Sequence, residues 1–413
     1  MNLQAPLDAT VPNVLAPRAL VADAASFGGE ARGDCLFGDL ILRGGRAVSL
    51  ASPSGGGGAR IVTPRLTEAH VHLDKCHTVH RMGDVGGDLA EAIAKQAEDR
   101  AAWTAADLRA RAARGLDELS AAGCGAVRSH VDWDANEAGD PPLAWGVLRD
   151  LAAERRGQID LQLAPLTGVE QVLDPRMGEA IARLTGEVGG ALGVFLFDQP
   201  DRRDAILAAI RLAEAHGLPL DFHVDEGLAD GLDGLRLIAE AVIETGFAGP
   251  VLCGHACSLA NLEGEALART IDLVARSGVA VAALPSTNLY LQGRGAGAPD
   301  RRGLTRVREL RAAGVPVVAG TDNVRDAFCP LGRHDPLTSL SLAALAAHLD
   351  PPYGDWLPMV SVAAEAAMGL AVTHIDGARP ENLIIWEAET TADLIAAPPA
   401  PTPLTNLLGA VAR

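Results

Sequence analysis

The sequence predicts an α/β fold, a (β/α)8 TIM-like barrel carrying a small β domain formed by the N- and C-terminal segments. Three observations carry that expectation. From Arg60 onward, eight short apolar runs alternate with Ala, Leu, Arg and Glu stretches of helical period. Successive runs are mostly about 25–35 residues apart, close to one βα unit each. Polar residues able to do chemistry close several of these runs, at the end of the strands where a parallel barrel keeps its active site.

Residues 1–59 form the first part of the small domain. Short apolar runs, VPNVLAPRALV and GDLILRGGRAVSLA, are separated there by the turn formers GGEARGD and SPSGGGG. Residues 60–375 form the barrel, with strands expected in RIVTPRLTEAHVH, AVRSHVD, DLQLAPL, ALGVFLF, PLDFHVDE, VLCGHA, VAVAALPST and PVVAGTDN. Helices are expected in TAADLRARAARGLDELSAAG, DAILAAIRLAEAHG, LEGEALARTIDLVARSG and GLTRVRELRAAG, each stopped by a glycine just past its last turn. The same alternation also fits a doubly wound open sheet, although closure follows more naturally. Residues 376–413 return to short β-like runs, NLIIWEA and ADLIAA, then a Pro-rich APPAPTP, and are expected to pack beside the N-terminal segment.

A chain of 413 residues accommodates a barrel of about 250 residues plus an accessory domain. Its 48% hydrophobic and 21% charged content is that of a folded protein. A formal charge of −18 argues against nucleic acid or an anionic membrane as partner, because both need clustered Lys and Arg. A small neutral or cationic molecule is the expected ligand. Six scattered cysteines show no paired zinc spacing and read as reduced thiols, which suits the cytoplasm. The N-terminus lacks the pattern of a signal peptide, and no apolar run reaches the roughly 18 residues of a membrane span.

His70 and His72 end the first barrel run. Residues two apart on a strand share a face, so both imidazoles can reach one ion. His223 closes the fifth run and Asp322 follows the eighth. Three imidazoles and a carboxylate make a nitrogen and oxygen site suited to one divalent ion, zinc or iron, with a position left for water. Such a site lowers the pKa of bound water from about 15.7 to about 7, and hydrolysis then needs a proton carrier. Glu226 is placed for that role, three residues beyond His223, and His255 at the end of the sixth run can contact the attacking oxygen. His130 and Asp132 read as support or pocket wall. His77, His80, His216, His334, His348 and His374 are assigned no role.

In this order the motifs EAHVHLD (68–74), VRSHVD (127–132), DFHVDE (221–226), LQGR (291–294), RRGLTRVR (301–308) and PLG (330–332) resemble the cytosine deaminase branch of the amidohydrolase superfamily. The resemblance covers about residues 60–370. It implies a barrel with a flanking β domain, one divalent metal, and hydrolytic removal of an amino group from a nitrogen heterocycle. It places metal ligands on His70, His72, His223 and Asp322, the proton carrier on Glu226 and the hydroxide contact on His255. Barrels of this branch are often oligomeric, so a homo-oligomer is compatible with it.

The departures fall on the substrate pocket. Leu166-Thr167-Gly168 stands where cytosine deaminases carry a glutamine-bearing loop, and Gln171 can replace that glutamine only through a loop shift. Asn323 replaces a second aspartate, Phe328 a pocket tryptophan and Lys75 a small polar residue. Lys75 reads either as a contact to a substrate carbonyl or carboxylate or as an ion-paired lysine at the barrel mouth. HxHxDK and DNxRD are similar to motifs of the enzyme type that removes isopropylamine from isopropylammelide, which lacks the glutamate present here as Glu226.

The main expectation is deamination of a cytosine-like or triazine-like heterocycle, with Lys75, Asn323 and Phe328 contacting substrate. Hydrolysis of a cyclic or linear amide, or of an alkylamino substituent, is the second. A non-catalytic metal- or ligand-binding barrel is the third.

Overall fold

The computed structural model describes residues 8–133, 140–298 and 300–411. Eight parallel strands run in sequence order around one sheet: Leu66–Val71, Cys124–Asp132, Asp160–Thr167, Leu192–Leu196, Leu220–Val224, Val251–His255, Ala280–Ala283 and Val317–Ala319. The first and last strands meet through a bridge between Val71 and Asp322, and the Asp322 amide donates to the His70 carbonyl at 2.8 Å. Closure therefore falls on residues singled out as metal ligands.

The expected helices surround this sheet. Ala105–Ala121 starts at Thr104, whose hydroxyl accepts from the Asp107 amide. Arg202–His216 and Gly264–Ser277 stop at Gly217 and Gly278, both in the left-handed conformation that a side chain would oppose. The segment GLTRVRELRAAG is helical only over Val307–Ala312.

A second sheet gathers both ends of the chain in the order Thr402–Pro403, Leu383–Trp386, Arg60–Pro64, Ala9–Pro17, Cys35–Arg43 and Glu30–Arg32, with Arg46–Ala51 also paired to Cys35–Arg43. Two expectations change here. The run RIVTPRLTEAHVH is two strands in two sheets, divided at Arg65, whose guanidinium donates to the Cys124 and Gln158 carbonyls. ADLIAA, but for its last residue, lies in a helix, Thr391–Ala396, because Thr390 caps the Asp393 amide; a short apolar run has no period of its own to separate helix from strand. One apolar cluster joins the layers, from Val14, Leu40 and Ile61 through Trp386 to Phe222 and Val281.

Alternation along the strands decides what fills the barrel. Glu68, His70 and His72 share one face of the first strand, Arg128, His130 and Asp132 one face of the second, and Asp221 and His223 one face of the fifth. Opposite them the later strands offer small residues. A Cβ added at Gly254 would lie 2.8 Å from the His70 ring, and one at Gly320 would lie 3.0 Å from the His70 Cβ. Those two glycines leave the room that His70 occupies.

Candidate metal centre and active site

The sequence-predicted residues converge at the C-terminal end of the barrel. His70 Nε2 and His72 Nε2 lie 3.6 and 3.3 Å from Asp322 Oδ1, and His223 Nε2 is 3.2 Å from His72 Nε2. Ligand atoms of His70, His72, His130 and His223 all lie within 4.8 Å of one another, as do those of His70, His255 and Asp322. All are buried. His70 Nε2 and both oxygens of Asp322 have no hydrogen-bond partner, and His72 and His223 meet each other through Nε2. Buried polar atoms are normally paired, so converging orphan lone pairs of this kind fit a divalent cation.

The electrostatics suit the same fit. Burial, reinforced by the Lys75 charge, lowers His72 to about 3, and burial with the neighbouring imidazoles holds His223 well below its ordinary value. Both are neutral, as a metal ligand must be. Burial alone would raise Asp322, but its contacts with His70 and His72 hold it well below the usual carboxylate range. Glu226 goes the other way, pushed well above that range by burial and by the Asp322 charge. Two acids on one floor are thus driven apart, one anionic and one able to carry a proton.

His255 Nε2 lies 3.6 Å from Glu226 Oε2, while its Nδ1 is 3.0 Å from Asn288 Oδ1. Asn288 accepts from Nδ1–H and so leaves Nε2 as the free lone pair facing the site. Strand ends here are strained: Asp225, His255, Ala256 and Asp322 have φ of +52, +69, +48 and +58°. Non-glycine residues in this region are held only by surrounding structure, and such strain clusters at functional sites. At Asp225 the restraint is visible, because its carboxylate accepts from the Gly234 and Leu235 amides and the Ser258 hydroxyl.

A cavity of about 140 Å³ opens onto this cluster, lined by Lys75, Gln96, Asp132, Glu226, Asn323 and Phe328 among others. It is smaller than the ~300–1,000 Å³ of drug-sized sites and so suits a compact ring. Lys75, Asn323 and Phe328 all line this cavity. Lys75 Nζ donates to Asp132 Oδ1 at 2.6 Å and sits 5.0 Å from the Phe328 ring centroid, so it is ion-paired in the wall. Arg100 binds the other Asp132 oxygen. The Asn323 amide group donates to Asp326 at 2.7 Å. Gln171 does not enter the cavity: it accepts from the Gly168 amide and donates to the Trp133 carbonyl.

His130, read from sequence as support or pocket wall, stands within the ligand cluster, and its Nε2 lies 3.0 Å from Asp221, which Arg128 holds from below at 2.6 Å. Other residues were missed from sequence. Asn288 had no local signal of its own, following Ser286 and Thr287 in the helix Pro285–Leu291. Gln96 and Arg100 belong to the helix Leu89–Arg100, where polar residues read as a solvated face. His77 and His334 meet at Glu118, outside the barrel cavity, with His334 Nδ1 2.9 Å and His77 Nε2 3.4 Å from Glu118 Oε2.

Comparison with known proteins gives the family. Its model, described as the amidohydrolase family, matches residues 87–401. A pterin deaminase of Rhizobium rhizogenes (strain K84 / ATCC BAA-868) is 33% identical over 368 residues, 88% of this chain and 83% of that one. The chain belongs to the amidohydrolase family. Among solved structures, 5-methylcytosine deaminase from Klebsiella pneumoniae liganded with 5-fluorocytosine superposes with a TM-score of 0.78 at 26% identity, covering 94% of this chain and 93% of that one. N-isopropylammelide isopropylaminohydrolase from Burkholderia multivorans ATCC 17616 shares the fold, with a TM-score of 0.72 at 23% identity over 96% of each chain. Among the described residues, no helix is long and apolar enough to cross a membrane.

Proposed function

We propose that this amidohydrolase is an aminohydrolase of a compact nitrogen heterocycle, and that a pterin-type ring is the leading candidate substrate. The reaction exchanges C–NH2 for C=O: water supplies the oxygen and ammonia leaves. His70, His72, His223 and Asp322 would hold one divalent ion, zinc or iron, which when bound supplies an activated water as nucleophile. Glu226 carries the proton, first to the ring nitrogen beside the attacked carbon and then to the departing amine. His255, its tautomer fixed by Asn288, contacts the attacking oxygen through Nε2.

The observation that carries this reading is the raised Glu226 carboxyl beside His255 and the anionic Asp322 on the floor of a cavity sized for a small ring. The pterin deaminase relative supports the ring class. Six buried free thiols fit a reducing compartment, and we place the protein in the cytoplasm. Ammonia release is to be measured for pterins, aminopyrimidines and aminotriazines beside a set of cyclic and linear amides. Ammonia from an aminoheterocycle is expected; turnover of amides alone would replace deamination with amide hydrolysis.

A further inference from the structure

The helix Leu89–Arg100 lies across the barrel mouth, and Leu89, Ile93, Gln96 and Arg100 all line the cavity. Their spacing of four, three and four residues puts them on one helical face. Gln96 is 1% exposed, yet neither its Oε1 nor its Nε2 has a hydrogen-bond partner. A buried amide with both atoms orphaned is costly, and in a cavity wall it is a recognition group held ready. The alternatives nearby are committed: Gln171 to its own loop, the Asn323 amide group to Asp326, Lys75 to Asp132. Leu166, which stands in the segment where a recognition glutamine was sought, lines the same cavity with an apolar side chain.

We infer that Gln96 is a specificity residue that reads a ring lactam, its Oε1 accepting from the ring N–H and its Nε2 donating to the adjacent carbonyl. A carboxamide offers one acceptor and one donor side by side, the complement of a cis –NH–C(=O)– edge. The inference rests on the aminohydrolase reading and narrows it. In a 2-amino-4-oxo ring the amine-bearing carbon lies between one bare nitrogen and one N–H that adjoins the carbonyl. Glu226 addresses the bare nitrogen, and Gln96 the lactam on the other side. In a 4-amino-2-oxo ring the amine-bearing carbon has no neighbouring N–H, so the two groups cannot serve their partners in that way. The site therefore selects 2-amino-4-oxo rings, pterins included, over cytosine-type rings.

The test compares pterin with 2-aminopteridine, which keeps the amine and loses the lactam, and measures binding of 2,4-dioxopteridine, the product of pterin deamination, by calorimetry. Wild-type protein is expected to favour pterin in kcat/KM by about 10–100-fold or more, because a site built for hydrogen bonds rejects a ligand that leaves them unpaired. In Gln96→Met that ratio should fall by about 10–100-fold at wild-type metal content, with weaker 2,4-dioxopteridine binding. A ratio unchanged by Gln96→Met overturns the inference, as does a wild-type protein that handles both rings alike. If no amine substrate releases ammonia, the aminohydrolase reading fails by itself. Calorimetry then still decides the role of Gln96, since equal 2,4-dioxopteridine affinity in wild type and Gln96→Met, or no binding to either, overturns it.

Discussion

Replacing Arg128 with Met tests whether the ion pair beneath the candidate metal centre holds the barrel together. Arg128 is fully buried and donates to Asp221 at 2.6 Å, to Gln162 at 2.8 Å and to the Met368 carbonyl at 2.8 Å. Burial would raise Asp221, but His130 and Arg128 hold it below the usual carboxylate range. Removing the guanidinium leaves that carboxylate in the barrel interior with one imidazole. Breaking one side of a buried pair costs about 3–5 kcal/mol. With an unfolding entropy of about 2.1 cal/mol/K per residue over 413 residues, that loss lowers Tm by roughly 3–6 °C. The assay is equilibrium denaturant unfolding of chelator-treated protein, with thermal midpoints alongside, so that metal binding does not enter. Adding Asp221→Asn should recover at least about 1 kcal/mol relative to the sum of the two single variants. A loss below about 1 kcal/mol in Arg128→Met, or strict additivity in the pair, would mean that the buried ion pair does not hold the barrel together.

Three further outcomes follow from the same geometry. Gly254→Ala presses a methyl group onto the His70 ring and should weaken metal binding by roughly 10–100-fold without removing a ligand, measured by competition with a chelator; wild-type affinity would contradict the assigned His70 position. His223→Ala removes a ligand outright, and elemental analysis after dialysis should show substoichiometric metal. The hydrogen bond from His334, then the neighbouring His77 and Arg325 charges, hold Glu118 near 2 against the opposing effect of burial. A lowered carboxyl contributes stability above its ordinary value of about 4.5 and loses it as pH falls towards 2. The midpoint gap between wild type and Glu118→Gln should therefore be full at pH 6 and narrow by pH 3; a constant gap would remove the linkage.

What could be read from sequence was what strand periodicity fixes. His70 and His72 share a face because they are two apart, and His223, His255 and Asp322 end strands, so a barrel brings them together whatever its helices do. Residues whose position depends on how a helix docks were not legible. Gln96 and Arg100 look like a solvated face until Leu89–Arg100 is seated on the barrel mouth beside Ala327 and Phe328. Asn288 and Asp221 act through neighbours on other strands; Asp221 falls inside the motif DFHVDE, but nothing local marks Asn288 or says which partner either residue meets. The run ADLIAA was misread because its short apolar sequence fits either regular structure, and only the Thr390 cap decides it. Arg60–Pro64 continues without a break into the first barrel strand in sequence, and its pairing with Leu383–Trp386 is a long-range fact.

The proposed deamination depends on Glu226 carrying protons beside a metal held by His70, His72, His223 and Asp322. The direct measurement is ammonia release by metal-loaded wild type and Glu226→Gln, with metal content determined on the same samples. Loss of turnover by about 100-fold or more at equal metal content is the expected result, since general acid–base catalysis contributes about 10²–10⁴-fold. Ammonia release by Glu226→Gln at the wild-type rate would contradict it.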